Sequence, residues 1–207
     1  MVNKPRPRRD SQGAIFRAAA VEFAERGYDA AGVDRIADRA RVNKAMFYYH
    51  YGSKLGLYVE VLRDMLRAVG LRVRAIADGP GSAGAKLDAW VLTIVEEAAA
   101  RPWFPPIMLR EVASGAPHVD PATIAMMDAV YAAVRDIIVQ GQREGVFDDV
   151  DPLLTHLTVM PPILIFFARQ RIHAARKSAT AVLAPRQVDE FVRHMQRSVK
   201  RMVRKDP

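Results

Sequence analysis

Between residues 41 and 54 the chain reads RVNKAMFYYHYGSK, and this stretch limits the possible folds more than any other. Asn43 stands where an N-cap is needed, and a very short helix, about 43–49, follows it. A helix of that length cannot offset its own nucleation cost, so it must be packed on its neighbours. The preceding segment, GVDRIADRA, sets Val33, Ile36, Ala37 and Ala40 on one apolar stripe at helical spacing. Val42 is the apolar residue of the tight turn between the two. The pair has the size and pattern of a helix-turn-helix. Its second helix carries Lys44, Tyr48, Tyr49 and His50, with Lys54 just beyond. Ammonium, hydroxyl and imidazole groups are donors of the kind that bind phosphate oxygens.

The flanking pattern extends this into a small helical module. A first helix, 11–26, would bury Ile15, Ala18, Ala19 and Phe23, with Gly27 positioned to end it in the left-handed region and Tyr28 packing beyond the cap. A second helix is expected over 33–40. Ser53 caps a long fourth helix, 54–76. A turn, a small-residue step, paired tyrosines, a His-aromatic pair and a Gly-Ser-Lys run follow one another here. In this order and spacing they resemble the DNA-binding end of the tetracycline-repressor (TetR) family of bacterial regulators. The resemblance covers roughly the first quarter of the chain. It implies that the third helix enters the major groove; Lys44, Ala45 and Met46 open it and are expected to face base edges, and Asn43 is counted among the DNA-binding residues. It also implies that Tyr48, His50 and Lys54 contact the DNA backbone, and Tyr49 beside them is counted among the DNA-binding residues. The chain departs from the family pattern at Arg41, where Gly is usual in the turn, and at Gly32, where a Thr or Ser often caps. It departs again at Met46, where a hydroxyl residue often touches a base.

The formal charge is +8, and residues 1–54 carry eleven Lys or Arg against six Asp or Glu. Arg6, Arg8 and Arg9, with Lys4, form a basic arm ahead of the first helix. Alone such a run is a solvated tail; beside a helix-turn-helix it suits a polyanion, through Coulomb steering and counterion release. No segment alternates long enough for a sheet, and the 207 residues read as all-helical, with about nine helices. There is no cysteine, and the five histidines show no ligand spacing, so no metal or cofactor is expected. Phosphate-loop, nucleophile-elbow and zinc-helix motifs are absent, which argues against an enzyme. No signal peptide and no membrane span is read, and a cytoplasmic protein is expected.

The expected division is 1–54 for DNA binding and 55–207 for effector binding and dimerisation. Within the second part, Asp78-Gly79-Pro80-Gly81 is a break after the fourth helix. Its helices are expected over 82–101, 107–114, 121–144, 151–174 (kinked at Pro161-Pro162) and 185–204. Trp90, Trp103, Phe104, Met108, Met126, Met127, Tyr131, Met160, Phe166 and Phe167 are candidates to line an apolar cavity. Arg110 is a candidate partner for an anionic group, or a salt-bridge residue. Aromatics and methionines also fill ordinary cores, and core is the default role for any one of them. The ligand set chosen is Trp90, Trp103, Phe104, Met108, Arg110, Met127, Tyr131 and Phe166. His156 is expected to be a hydrogen-bonded structural histidine. The last helix has coiled-coil-like spacing at Val188, Phe191, Met195, Val199 and Met202. With Ile163 and Phe167 these are expected at a dimer interface. The reading is a regulator, a repressor by the default of the resemblance, that binds operator DNA as a homodimer and is released by a small, mostly apolar effector. An activator of the same fold and a basic helical protein of membrane surfaces are the alternatives.

Overall fold

A computed structural model describes residues 10–169 and 185–205. The basic arm of Arg6, Arg8 and Arg9 lies outside the described residues. Nine helices are found among those described: α1 Ser11–Ala30, α2 Val33–Ala40, α3 Lys44–Tyr51, α4 Lys54–Asp78, α5 Ala83–Ala100, α6 Phe104–Ala113, α7 Pro121–Arg143, α8 Pro152–Ala168 and α9 Pro185–Val203. The sole β-pairing among them is an isolated bridge between Phe147 and Arg204. The chain forms two compact units, one ending at Val61 and one starting at Leu62, so the division falls inside α4.

In the first unit, α1 starts on Asp10, whose carboxylate accepts from the Gly13 amide at 2.9 Å. Gly27 does leave the helix, at φ 75° and ψ 175°, a region open to glycine alone. It does not end α1, as the sequence pattern suggests: helical backbone resumes and runs to Ala30. The extra turn places Tyr28 over Tyr58, ring centroids 5.1 Å apart, and Phe23 meets Tyr58 edge-on at 4.8 Å. Ile15, Ala18, Ala19 and Phe23 of α1, Ile36 and Ala37 of α2, Phe47 of α3, and Leu57, Tyr58 and Val61 of α4 are all buried. Each large side chain so buried contributes about 1.5–3 kcal/mol. This explains why the unit extends past Lys54: the first turns of α4 supply part of its core.

The second unit is built around α5, which packs on α7, α8 and α9, while α6 packs on α8. Leu87, Trp90, Val91, Ile94, Val95 and Ala98 form the expected buried face of α5. Asp120 and Asp151 cap α7 and α8 by accepting from Thr123 N at 2.8 Å and Leu154 N at 2.9 Å, and Pro121 and Pro152 follow them in the first turn. Thr123 and Arg63, the latter at 2.5 Å, hold the Asp120 carboxyl down at about 2. The helix of α8 continues through Pro161 and Pro162 as far as Ala168; the expected extension to residue 174 lies outside the described residues. Phe147 lies so close to Gly141 that a Cβ there would come within 2.0 Å of its ring. That close approach lets the Asp148 amide donate to Val203 O at 2.9 Å and fixes the end of α9.

Candidate functional site

The first unit resolves into a scaffold and an exposed face. Asn43 accepts from the Ala45 amide at 2.9 Å and starts α3, which ends at Tyr51 rather than the expected Tyr49. The turn ahead of it depends on Arg41 at φ 55° and ψ 45°, the left-handed conformation that glycine adopts without strain. Gly32 leaves α2 without a side-chain cap.

The sequence-predicted contact residues divide into two groups. Lys44, Ala45, Tyr48 and Tyr49 lie exposed on α3, Tyr49 at 80%, and Met46 is half-buried beside them. Lys44 meets Asp34 at 2.7 Å in a pair open to water, the type worth at most about 1 kcal/mol and easily exchanged for a phosphate. His50 and Lys54 are instead engaged within the unit. His50 Nε2 lies 2.7 Å from the Ser11 hydroxyl, and the neighbouring Tyr51 hydroxyl donates to Gln12 O at 3.0 Å. Burial pushes the Tyr51 phenol up to about 12. Lys54 donates to Asp29 O at 3.3 Å and Ala31 O at 3.1 Å, with its ammonium 4.4 Å from the Tyr28 ring centre. These residues tie α3 and α4 to α1 and to the α1–α2 turn. Their first effect is to set the attitude of the exposed face.

Sequence reasoning missed Glu22. This carboxylate is 1% exposed, and Arg35 Nε reaches it at 2.5 Å, Arg26 at 3.2 Å and Arg39 at 3.6 Å. Arg39 also pairs with Glu25 at 2.8 Å. The cluster locks α2 onto α1. The residues are seventeen positions apart at most, yet no local pattern separates a buried glutamate from the exposed ones around it.

The second unit contains an apolar cavity of about 250 Å³. Its wall comes from α4 (Met65, Leu66, Val69), α5 (Ile94, Ala98), α6 (Phe104, Met108, Leu109, Val112), α7 (Met127, Val130) and α8 (His156, Leu157, Met160, Pro161, Leu164). Of the chosen ligand set, Phe104, Met108 and Met127 are on this wall. Trp90, Trp103, Arg110, Tyr131 and Phe166 are not, and the expectation is corrected for them. Trp90 is fully buried in the core, Arg110 is exposed, and Phe166 stacks flat on Phe191 at 3.8 Å. Tyr131 meets the His156 ring edge-on, with ring centroids 5.5 Å apart. His156 is also not the hydrogen-bonded histidine expected. Its Nδ1 is buried without a partner, as is Nε1 of Trp90, whose ring centre lies 6.1 Å away. Burial lowers the His156 pKa to about 4.

The residues expected at a dimer interface are mostly covered by their own chain. Ile163, Phe167, Met195 and Val199 are buried, and Val188, Phe191 and Met202 are half-buried. The helical period turned the last helix inward, onto α5 and α8. The apolar residues left exposed on α8 are Leu153, Leu154, Leu157 and Ile165. A groove lined by Thr158, Pro162, His194, Ser198 and Met202 runs between α8 and α9. No described helix is long and apolar enough to cross a membrane.

Comparison with known proteins agrees with this geometry. The family model described as bacterial regulatory proteins, tetR family, matches residues 15–61, which span α1 to the first turns of α4. The HTH-type transcriptional activator FasR of Mycolicibacterium smegmatis is 51% identical over 57 residues, 28% of this chain; that match spans only 26% of FasR. The HTH-type transcriptional repressor SCO4008 of Streptomyces coelicolor is 31% identical over 146 residues, covering 69% of this chain and 70% of that protein. The solved structure of the ketosteroid transcriptional regulator KstR2 of Mycobacterium tuberculosis superposes with a TM-score of 0.76 at 23% identity, over 96% of this chain and 97% of that one. It shares the all-helical fold. The helix-turn-helix with its exposed α3, the helical second unit, and a relative matched over more than two thirds of both chains lead to one conclusion: this chain is a transcriptional regulator and belongs to the tetR family of bacterial regulatory proteins.

Proposed function

We propose that the chain is a repressor that binds operator DNA in the cytoplasm as a homodimer and releases it when an apolar small molecule occupies the second unit. The observation that carries the DNA half is the free face of α3. Lys44, Ala45, Tyr48 and Tyr49 project from a helix whose other side chains are spent on holding it in place. In this reading Ala45 and Met46 meet base edges, where a methyl and a thioether favour thymine methyl groups. Lys44, Tyr48 and Tyr49 then anchor phosphates, and Arg6, Arg8 and Arg9 add basic contacts to the DNA backbone. Residues up to about the start of α4 serve the DNA, and the remainder serves effector and partner.

The dimer is assigned to the exposed apolar face of α8 and the groove beside it. Such a face is costly to leave in water, and a two-fold copy covers it with itself. Two reading heads then meet successive major grooves, about 34–36 Å apart. Helix α4 begins in the DNA-reading unit and later lines the cavity with Met65, Leu66 and Val69, so a shift of α4 is the proposed route of release. An activator role is the second reading, favoured by the named activity of FasR, which matches 28% of this chain.

The test is selection of binding sites from random duplexes, followed by fluorescence anisotropy on the winning site. A defined two-half-site motif is expected, with Lys44→Ala and Tyr49→Ala each weakening binding at least tenfold. A chain that selects no motif, or whose two variants bind as well as the parent, refutes the assignment of α3. Transcription from a promoter carrying the motif separates repressor from activator.

A further inference from the structure

The cavity of the second unit has an unusually one-sided chemistry. Sixteen residues line it, and His156 is the single one with a nitrogen or oxygen in its side chain. No lysine, arginine, aspartate or glutamate contributes to the wall. A pocket of about 250 Å³ has the liquid volume of roughly eight waters, yet so apolar a wall gives water few partners. His156, the one polar residue of the wall, has a buried Nδ1 without a partner, and the core ring of Trp90, whose Nε1 is likewise unpartnered, has its centre 6.1 Å from the imidazole centre. An unpartnered buried ring nitrogen is unfavourable, so a bound group that pairs with the imidazole gains by doing so. An indole N–H can only donate, and a neutral imidazole donates from one nitrogen and accepts at the other. A hydroxyl on the bound group can therefore pair with either tautomer of His156, and a carbonyl with the one that donates to it.

We infer that the cavity takes an uncharged lipophile bearing one carbonyl or hydroxyl group, which hydrogen-bonds to the His156 imidazole, and that it rejects carboxylates. This rests on the effector reading above and names the class of that effector. A carboxylate brought here would lose its hydration with no cation to replace it, since Arg110 is exposed and off the wall. The depressed pKa of His156 agrees, because a neutral imidazole supplies no positive charge at physiological pH. A pure hydrocarbon fills the volume but leaves the imidazole without a partner, so it binds more weakly than the matched ketone or alcohol. The four methionine side chains of the wall, Met65, Met108, Met127 and Met160, adapt to ligand shape, so selectivity lies in polarity more than in outline.

The experiment compares 2-decanone, 2-decanol, decanoate and n-butylbenzene on the full-length free protein, by isothermal titration and Trp fluorescence at pH 7.5. The ketone and the alcohol are expected to bind at least tenfold more tightly than decanoate and severalfold more tightly than the hydrocarbon. His156→Phe should bring the ketone down to the level of the hydrocarbon while leaving hydrocarbon binding intact. Met127→Trp, which fills the void, should abolish all binding, and it places the site even if His156→Phe fails to fold. Decanoate binding as tightly as the ketone overturns the inference. So does unchanged ketone affinity in His156→Phe, or the absence of binding by all four probes. Operator anisotropy in the presence of the bound ketone is read separately: binding without release refutes the effector-released repressor and leaves the chemistry of the cavity standing.

Discussion

Removing the Glu22 carboxylate should loosen the DNA-reading unit from within. Glu22→Ala takes away the one anion that gathers Arg26, Arg35 and Arg39. Removing one partner of a fully buried ion pair typically costs about 3–5 kcal/mol, because the other is left buried and charged. Here the three arginines are each 40–50% exposed, so water takes over part of their solvation. The cost therefore falls to the scale of a hydrogen bond to a charged group, about 1.5–3 kcal/mol, plus the small void left under α2. Glu22→Gln keeps an oxygen for Arg35 and should cost about half as much. Native-state hydrogen exchange reads this directly: opening free energies of amides in α1 and α2 should drop by about 2 kcal/mol, while those of α5 and α7 hold steady. Operator affinity should fall with them, since α2 positions α3. Protection of α1 and α2 within about 0.5 kcal/mol of the parent in Glu22→Ala would refute the claim that this cluster, rather than the apolar contacts of Ile36 and Ala37, fixes the helix pair.

Three further outcomes are expected. The pKa of His156 is about 4 in the fold against 6.5 free, so the unfolded chain binds more protons between those values. Its contribution is complete above pH 6.5 and is lost as pH falls toward 4, by about 3 kcal/mol in all; urea titrations from pH 4 to 7 should show that slope, and His156→Phe should flatten it. Lys54→Ala loses two carbonyl contacts and should lower thermal stability by about 1–2 kcal/mol as well as weaken DNA binding; a variant of unchanged stability would make Lys54 a phosphate contact alone, detectable as a salt slope reduced by about 0.9. Leu154→Glu with Ile165→Glu places charges on the exposed apolar face of α8 and should yield monomers in light scattering, whereas a persistent dimer moves the interface elsewhere.

The helical elements and the helix-turn-helix were legible in the sequence because their causes are local. Caps at Asn43, Asp120 and Asp151, and apolar residues repeating at helical spacing, act within a few positions of themselves, and the structure places helices there. The left-handed turn at Arg41 was signalled only by the family resemblance, in which Gly is usual at that position. Tertiary structure alone decided which way each amphipathic face turned and which polar groups were left partnered. The stripe of Met195 and Val199 has the periodicity of an exposed seam and of a buried one alike; contact with α5 and α8 made it core. The candidate cavity followed the same logic. Aromatic residues such as Trp90 and Phe166 filled the packed interior, and the void fell where five helices brought aliphatic and methionine side chains together around His156. Glu22 and His156 are single polar residues in helical segments, and nothing in their neighbours distinguishes them from solvated ones. Their burial, and with it their chemistry, arises from residues distant in the chain, which periodicity does not encode.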